Sequence, residues 1–173
     1  EAGELFKEMP SSGNPILLIA DASGAALIAE GFGSRKSVRP VEGGWAAAAN
    51  HFTAPEMKDC NRRLMNNSFV RAARMAKCLG ETRGRVDAEG MKDLLGARYP
   101  DGLACHYYEE FFGTLHSMVI DVTGRRMEVC FGSPAANPWH TFGFEDSRPG
   151  QYETVLPLEK APASFWAPPE SAE

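Results

Sequence analysis

The residues best suited to chemistry in this chain are an asparagine, its histidine neighbour and a cysteine–histidine pair. Asn50 closes a run of alanines at 46–49 and precedes His51 and Phe52, in the stretch AAAANHFTAP. A carboxamide offers two N–H donors and one carbonyl acceptor. Held rigidly at a strand end, its NH₂ stabilises the oxyanion of an acyl transfer, and one such donor is worth about 100- to 1,000-fold in rate. Asparagine is equally at home in turns and caps, and Pro55 lies just beyond. His51 suits a general base. On a strand, however, neighbours point to opposite faces, which keeps Asn50 and His51 out of one site. Cys105-His106 pairs a nucleophile with a base in sequence, but activation needs the two side chains within hydrogen-bond reach. Adjacent residues rarely achieve that, and no third orienting group stands out. His116 has no recognisable second ligand and reads as a packing residue. In HYYEEFF, residues 106–112, Tyr107 and Phe111 are candidates to shape a pocket for an apolar acyl group. A partner contact and a plain core edge are the other readings of that patch.

The elements that must hold these residues read as α+β. Residues 1–9 suggest the tail of an amphipathic helix stopped by Pro10. Apolar runs at 16–20 and 25–30, separated by Asp21-Ala22-Ser23-Gly24, predict a β-hairpin. Residues 34–39 suggest a short edge strand, and 45–50 a further strand that delivers Asn50. Pro55-Glu56 opens a helical stretch. Asn66-Asn67-Ser68 offers caps for the next, where Phe69, Ala72, Ala73, Ala76 and Leu79 share one face. Asp87 caps another helix, with Met91, Leu94 and Leu95 inward. Residues 114–121 and 126–131 alternate as a second hairpin, with Met127, Val129 and Phe131 inward against Glu128 and Cys130. Residues 146–173 are proline-rich and read as an extended tail. There are no repeats and no clear domain boundary.

Composition narrows the class. At 173 residues the chain has the length of one ordinary domain, able to bury a core without staples. A net charge of −5 argues against a sequence-independent nucleic-acid binder. Cys60, Cys78, Cys105 and Cys130 match neither a C-x-x-C motif nor zinc-site spacing, so unpaired thiols in a reducing, cytoplasmic setting are expected. Neither a metal nor a cofactor is expected. The glycines of Gly31-Phe32-Gly33 and Gly43-Gly44 fit no phosphate loop. No apolar run approaches the roughly 20 residues of a membrane span.

Read in order, several segments resemble one family. NPILLIADASGAALIAE is similar to a hairpin of the linear-amide hydrolases, which include the choloylglycine (bile salt) hydrolases and the acyl-coenzyme A:isopenicillin N acyltransferases of the N-terminal-nucleophile superfamily. AAAANHF with Pro55-Glu56-Met57 looks like that group's T-N-H-F…P-E-M. Ser68, Arg71 and Arg74 match its S-x-x-R-x-x-R helix, Ala104-Cys105-His106 a loop, and TLHSMVIDVTGRRMEVCFGSPAANPW its closing hairpin. The similarity runs over about residues 1–145, and the isopenicillin N acyltransferase branch is the closer match.

The resemblance implies an αββα sandwich and a mechanism. A cysteine freed at the chain's N-terminus by self-cleavage attacks a linear amide, its own α-amino group acting as base, and an asparagine helps hold the oxyanion. Asn50 falls on that asparagine. Residue 1 is Glu, and Cys105 matches a loop cysteine of the family rather than the nucleophile. The expectation is therefore that residues 1–145 are the C-terminal portion of such a domain, inert toward a small-molecule N-acyl amide without the missing thiol. The competing expectation is a non-catalytic binding or interaction module that keeps the architecture. Self-association through an unpartnered sheet edge is a further expectation; partners of nucleic acid or membrane are not expected.

Overall fold

The structure, a computed structural model, describes residues 1–10, 13–83, 85–146 and 149–169. It is α+β, with helices and small antiparallel sheets, and it divides into two compact units. The first comprises residues 1–84 with 167–173, and the second residues 85–166.

In the first unit, helix α1 (Ala2–Glu8) precedes a meander of β1 (Ile16–Ala20), β2 (Ala26–Phe32) and β3 (Arg35–Pro40). The turn between β1 and β2 is set by Asp21, whose Oδ1 accepts from the backbone N–H and the hydroxyl of Ser23, and by Gly24 at φ +87°. Register pairs Ile16 with Glu30 and Glu30 with Ser37. Alternation then fixes which faces meet what. Leu27, Ala29 and Val38 share the face under α1, where Gly3 lets the helix come close. A Cβ on Gly3 would stand 3.0 Å from Val38 Cγ1. Ile28, Glu30 and Phe32 share the opposite face. There Ile16 and Phe32 pack against a buried cluster of Phe52, Ala54, Met57 and Cys60. The stretch 55–60 is a 3-10 turn (Pro55–Cys60), docked on β3 by Ser37 Oγ donating to Glu56 Oε1 at 2.6 Å and by the Arg35–Asp59 ion pair.

Helix α2 (Asn66–Glu81) follows the periodicity of the sequence, with one difference at its start. The N-cap is Met65, without a side-chain cap, and Asn66 already lies in the helix. Its N–H donates instead to the carbonyl of Ala167 at 2.8 Å, so a backbone acceptor replaces the expected side chain. The expected strand at 45–50 is not formed. A single antiparallel bridge joins Ala49 to His51, which makes Asn50 the apex of a tight bend. Alanine brings little strand propensity, and among the described residues no strand pairs with 45–48.

In the second unit, α3 (Ala88–Gly96) starts as expected on Asp87, whose Oδ1 accepts from Gly90 N–H at 2.9 Å. A small ladder joins β4 (His106–Tyr107) to β5 (Phe112–Gly113), and a meander joins β6 (His116–Asp121), β7 (Arg126–Phe131) and β8 (Trp139–Gly143). The third strand, β8, is not legible in the sequence. It makes β7 central, so both of its edges are hydrogen-bonded. Cys130 is fully buried opposite Ser117, and Glu128 pairs with Lys92 of α3, while Phe131 stacks on Tyr152 with ring centroids 4.5 Å apart. Residues 151–162 run without regular structure to a short helix, α4 (Ala163–Trp166). Phe165 of that helix is wholly buried among Tyr99, Tyr107, Phe112 and Trp166.

Candidate functional site

Asn50 stands at the rim of a cleft of about 380 Å³ in the first unit. The lining mixes apolar surface from Ile16, Phe32 and Leu64 with the polar groups of Asn14, Asn61 and Arg62. Arg62 carries the one full charge among the described residues that line it. His51 and Cys60 line it too. Asn50 and His51 thus border the same cleft, against the strand-based expectation, because the bend at Asn50 removes the alternation that would have separated them.

Every residue of the segment from 50 to 54 is gripped. Arg71 Nη2 donates to Asn50 Oδ1 at 2.8 Å. His51 Nδ1 shares a 2.7 Å hydrogen bond with Ser68 Oγ, and its ring stacks on Phe69 at a centroid distance of 4.1 Å. Phe52 is held at both ends of its peptide by one side chain, its N–H donating to Asn61 Oδ1 at 2.8 Å and its carbonyl accepting from Asn61 Nδ2 at 3.0 Å. Thr53 and Ala54 donate their N–H groups to Oε1 and Oε2 of Glu30, each at 2.9 Å. Glu30 is 1% exposed. Its Oε1 also accepts from Thr53 Oγ1 at 2.8 Å and Arg39 Nη2 at 3.2 Å, so the buried carboxylate is both paired and hydrogen-bonded.

The orientation of the Asn50 amide follows from this. Arginine donates and never accepts, so the atom facing Arg71 is the carbonyl oxygen. The NH₂ is turned away from the guanidinium, and among the described residues it meets no acceptor. Burial pushes the His51 imidazolium pKa below its ordinary value; the Arg71 charge adds to that and Glu30 opposes it. The imidazole therefore stands neutral at neutral pH.

The second unit holds the other candidates, and it does not bring them together. Tyr107 is 5% exposed and packs edge-on against Phe165 at 4.8 Å, a core position. Phe111 is 99% exposed, at φ 58° behind a 3-10 turn. Cys105 and His106 diverge. The thiol turns to the Leu103 carbonyl, and His106 bonds Ser133 Oγ through Nε2 at 2.7 Å and Glu159 Oε1 through Nδ1 at 3.0 Å. That hydrogen bond from His106 holds the Glu159 carboxyl below its usual range, helped by Arg98. Serine, histidine and glutamate in this order have the connectivity of a nucleophilic triad. Ser133 is 0% exposed, however, so no substrate carbon reaches its hydroxyl. The network instead ties residue 159 to β4, reinforced by Glu159 N–H donating to the His106 carbonyl at 3.0 Å.

Glu30, Asn61 and Arg62 are not singled out by sequence alone. Glu30 leaves one trace, a lone carboxylate inside the apolar run ALIAEGF, on the inward side of a strand. Asn61 and Arg62 leave none. Among the described residues no helix is long and apolar enough to cross a membrane. No disulfide joins the four cysteines. No curated protein and no solved structure matches the chain. The family model for acyl-coenzyme A:6-aminopenicillanic acid acyl-transferase does match, over residues 1–136, and on that extent the chain belongs to this family of acyl-transfer proteins.

Proposed function

We propose that residues 14–71 supply the oxyanion-stabilising side of an acyl-transfer site acting on a linear N-acyl amide, with Asn50 as the donor. The attacking thiol is that of an N-terminal cysteine outside these residues, as the family resemblance implies. Its thiolate adds to the amide carbonyl, and the C=O electron pair moves to oxygen. Asn50 Nδ2 donates to that oxyanion. The pair then returns, the C–N bond breaks, and the leaving amine takes the proton that the cysteine's α-amino group removed from the thiol. Water or a second amine attacks the resulting thioester and releases the acyl group. A reducing compartment is part of this reading, since no disulfide joins the four cysteines.

One observation carries the reading. Asn50 Oδ1 is occupied by Arg71, which leaves the donor end of the amide for the cleft. In the full-length protein, Asn50→Ala should lower kcat by about 100- to 1,000-fold, with KM and thermal stability nearly unchanged. Unchanged turnover would refute the assignment of Asn50, whereas no turnover by the full-length protein itself would favour the non-catalytic module.

A further inference from the structure

The strongest grip on the proposed donor comes from helix α2, which lies outside the cleft lining. Arg71 Nη2 is shared between Asn50 Oδ1 at 2.8 Å and Asn67 Oδ1 at 3.1 Å. Asn67 is one helical turn before Arg71, on the same face, and is 2% exposed. The guanidinium is thereby steered by a buried carbonyl before it reaches Asn50. Ser68 and Phe69, on the same turn of helix, fix His51 next door.

We propose that Arg71 is a positioning residue for the Asn50 carboxamide, acting in two ways. It selects one of the two amide rotations, because only the carbonyl oxygen can face a guanidinium. It also draws electron density toward Oδ1, which strengthens the N–H groups at the other end of the amide, as in other chains of hydrogen bonds. A rotated amide would present its oxygen to an oxyanion and repel it. Arg71 thus decides whether Asn50 assists or opposes charge development. This inference deepens the acyl-transfer reading and rests on it for its kinetic consequence, while the geometry can be read independently.

The test uses the full-length protein and the variants R71M, R71K and N50A. Methionine keeps the unbranched stem of arginine without a donor, and lysine restores a cation. R71M should lower kcat by about 10- to 100-fold at constant KM, within the range set by losing the donor itself. R71K should recover part of the loss, and adding R71M to N50A should cost nothing further, as for two groups that act as one unit. The second readout is nuclear magnetic resonance of the Asn50 side-chain NH₂. Polarisation raises the double-bond character of its C–N bond, so R71M should speed rotation about it and shift its amide resonances. Full activity in R71M while N50A is defective would overturn the proposal. So would Asn50 resonances and rotation unchanged by R71M. If N50A itself is fully active, the acyl-transfer reading falls, and the resonance measurement alone decides whether Arg71 positions the amide. Should R71M fail to fold, R71K decides: the intermediate kcat and the Asn50 shift are expected, and wild-type values for both refute.

Discussion

Removing the charge from Glu30 while keeping its shape should cost about 2–4 kcal/mol of folding stability. The carboxylate accepts three donors on Oε1 and one on Oε2. Glutamine has one oxygen. Its best rotation keeps that oxygen toward Thr53 and Arg39 and turns NH₂ against the N–H of Ala54, which now donates at 2.9 Å. One buried donor left without an acceptor costs about 1–3 kcal/mol. The Arg39 guanidinium also loses its charge partner, and neighbouring donors must shift to relieve the NH₂–NH contact, which brings the total to the figure above. Glu30→Ala abandons all four donors and should cost about 3–5 kcal/mol, the range for breaking a buried pair. Either loss is large against a typical domain stability of about 5–15 kcal/mol. The assay is urea denaturation of the full-length protein followed by tryptophan fluorescence, with the slope m held as a control on compactness. A loss below about 1 kcal/mol for Glu30→Gln would show that the donors find water, and that the carboxylate is no anchor.

Other outcomes can be checked alongside. Phe165→Ala should destabilise by about 3–5 kcal/mol in thermal melts, because it empties the centre of an aromatic cluster. Acidification should weaken the fold in a window set by His51. Its folded pKa lies below the unfolded value of 6.5, so above that pH it contributes nothing. As pH falls through 6.5 the unfolded chain binds the proton first, and stability declines until the folded imidazole also titrates. His51→Gln should flatten the stability profile there, and leave intact the separate loss at lower pH from Glu159, whose folded pKa is depressed below 4.5. Burial raises the Cys130 thiol pKa, so a thiol reagent should label the half-buried Cys78 first and reach Cys130 only on unfolding, as mass spectrometry would show.

Much of the architecture is visible in local patterns. The β1–β2 hairpin is written in alternation and turn chemistry, and α2 and α3 in helical periodicity and, for α3, the Asp87 cap. These features depend on residues close in sequence. β8 and α4 do not. Trp139 to Gly143 is reached from β7 through the Gly- and Pro-bearing loop 132–138 rather than a tight hairpin turn, and the burial of Phe165 depends on aromatics more than fifty residues away. The proposed site divides the same way. Asn50 stands out by residue type and by its place in a family-like motif. What aims it, Arg71 at a separation of 21 residues, emerges only when a helix is laid beside a bend. Reading residues 45–50 as a strand hid this, because strand geometry sends Asn50 and His51 apart while the bend turns both toward α2.

The clamp by Asn61 on Phe52 has a counterpart in the second unit, where Asn137 Oδ1 accepts from Val155 N–H at 2.7 Å and its Nδ2 donates to the Val155 carbonyl at 2.9 Å. In both places a carboxamide stands in for a missing backbone neighbour, matching a peptide donor for donor. Such a grip is vulnerable to a one-atom change. Deamidation turns the nitrogen into a second oxygen, and what was attraction to the Phe52 or Val155 carbonyl becomes repulsion. Chemical ageing at either asparagine would therefore loosen a loop from within, long before any change registered in helix or sheet content.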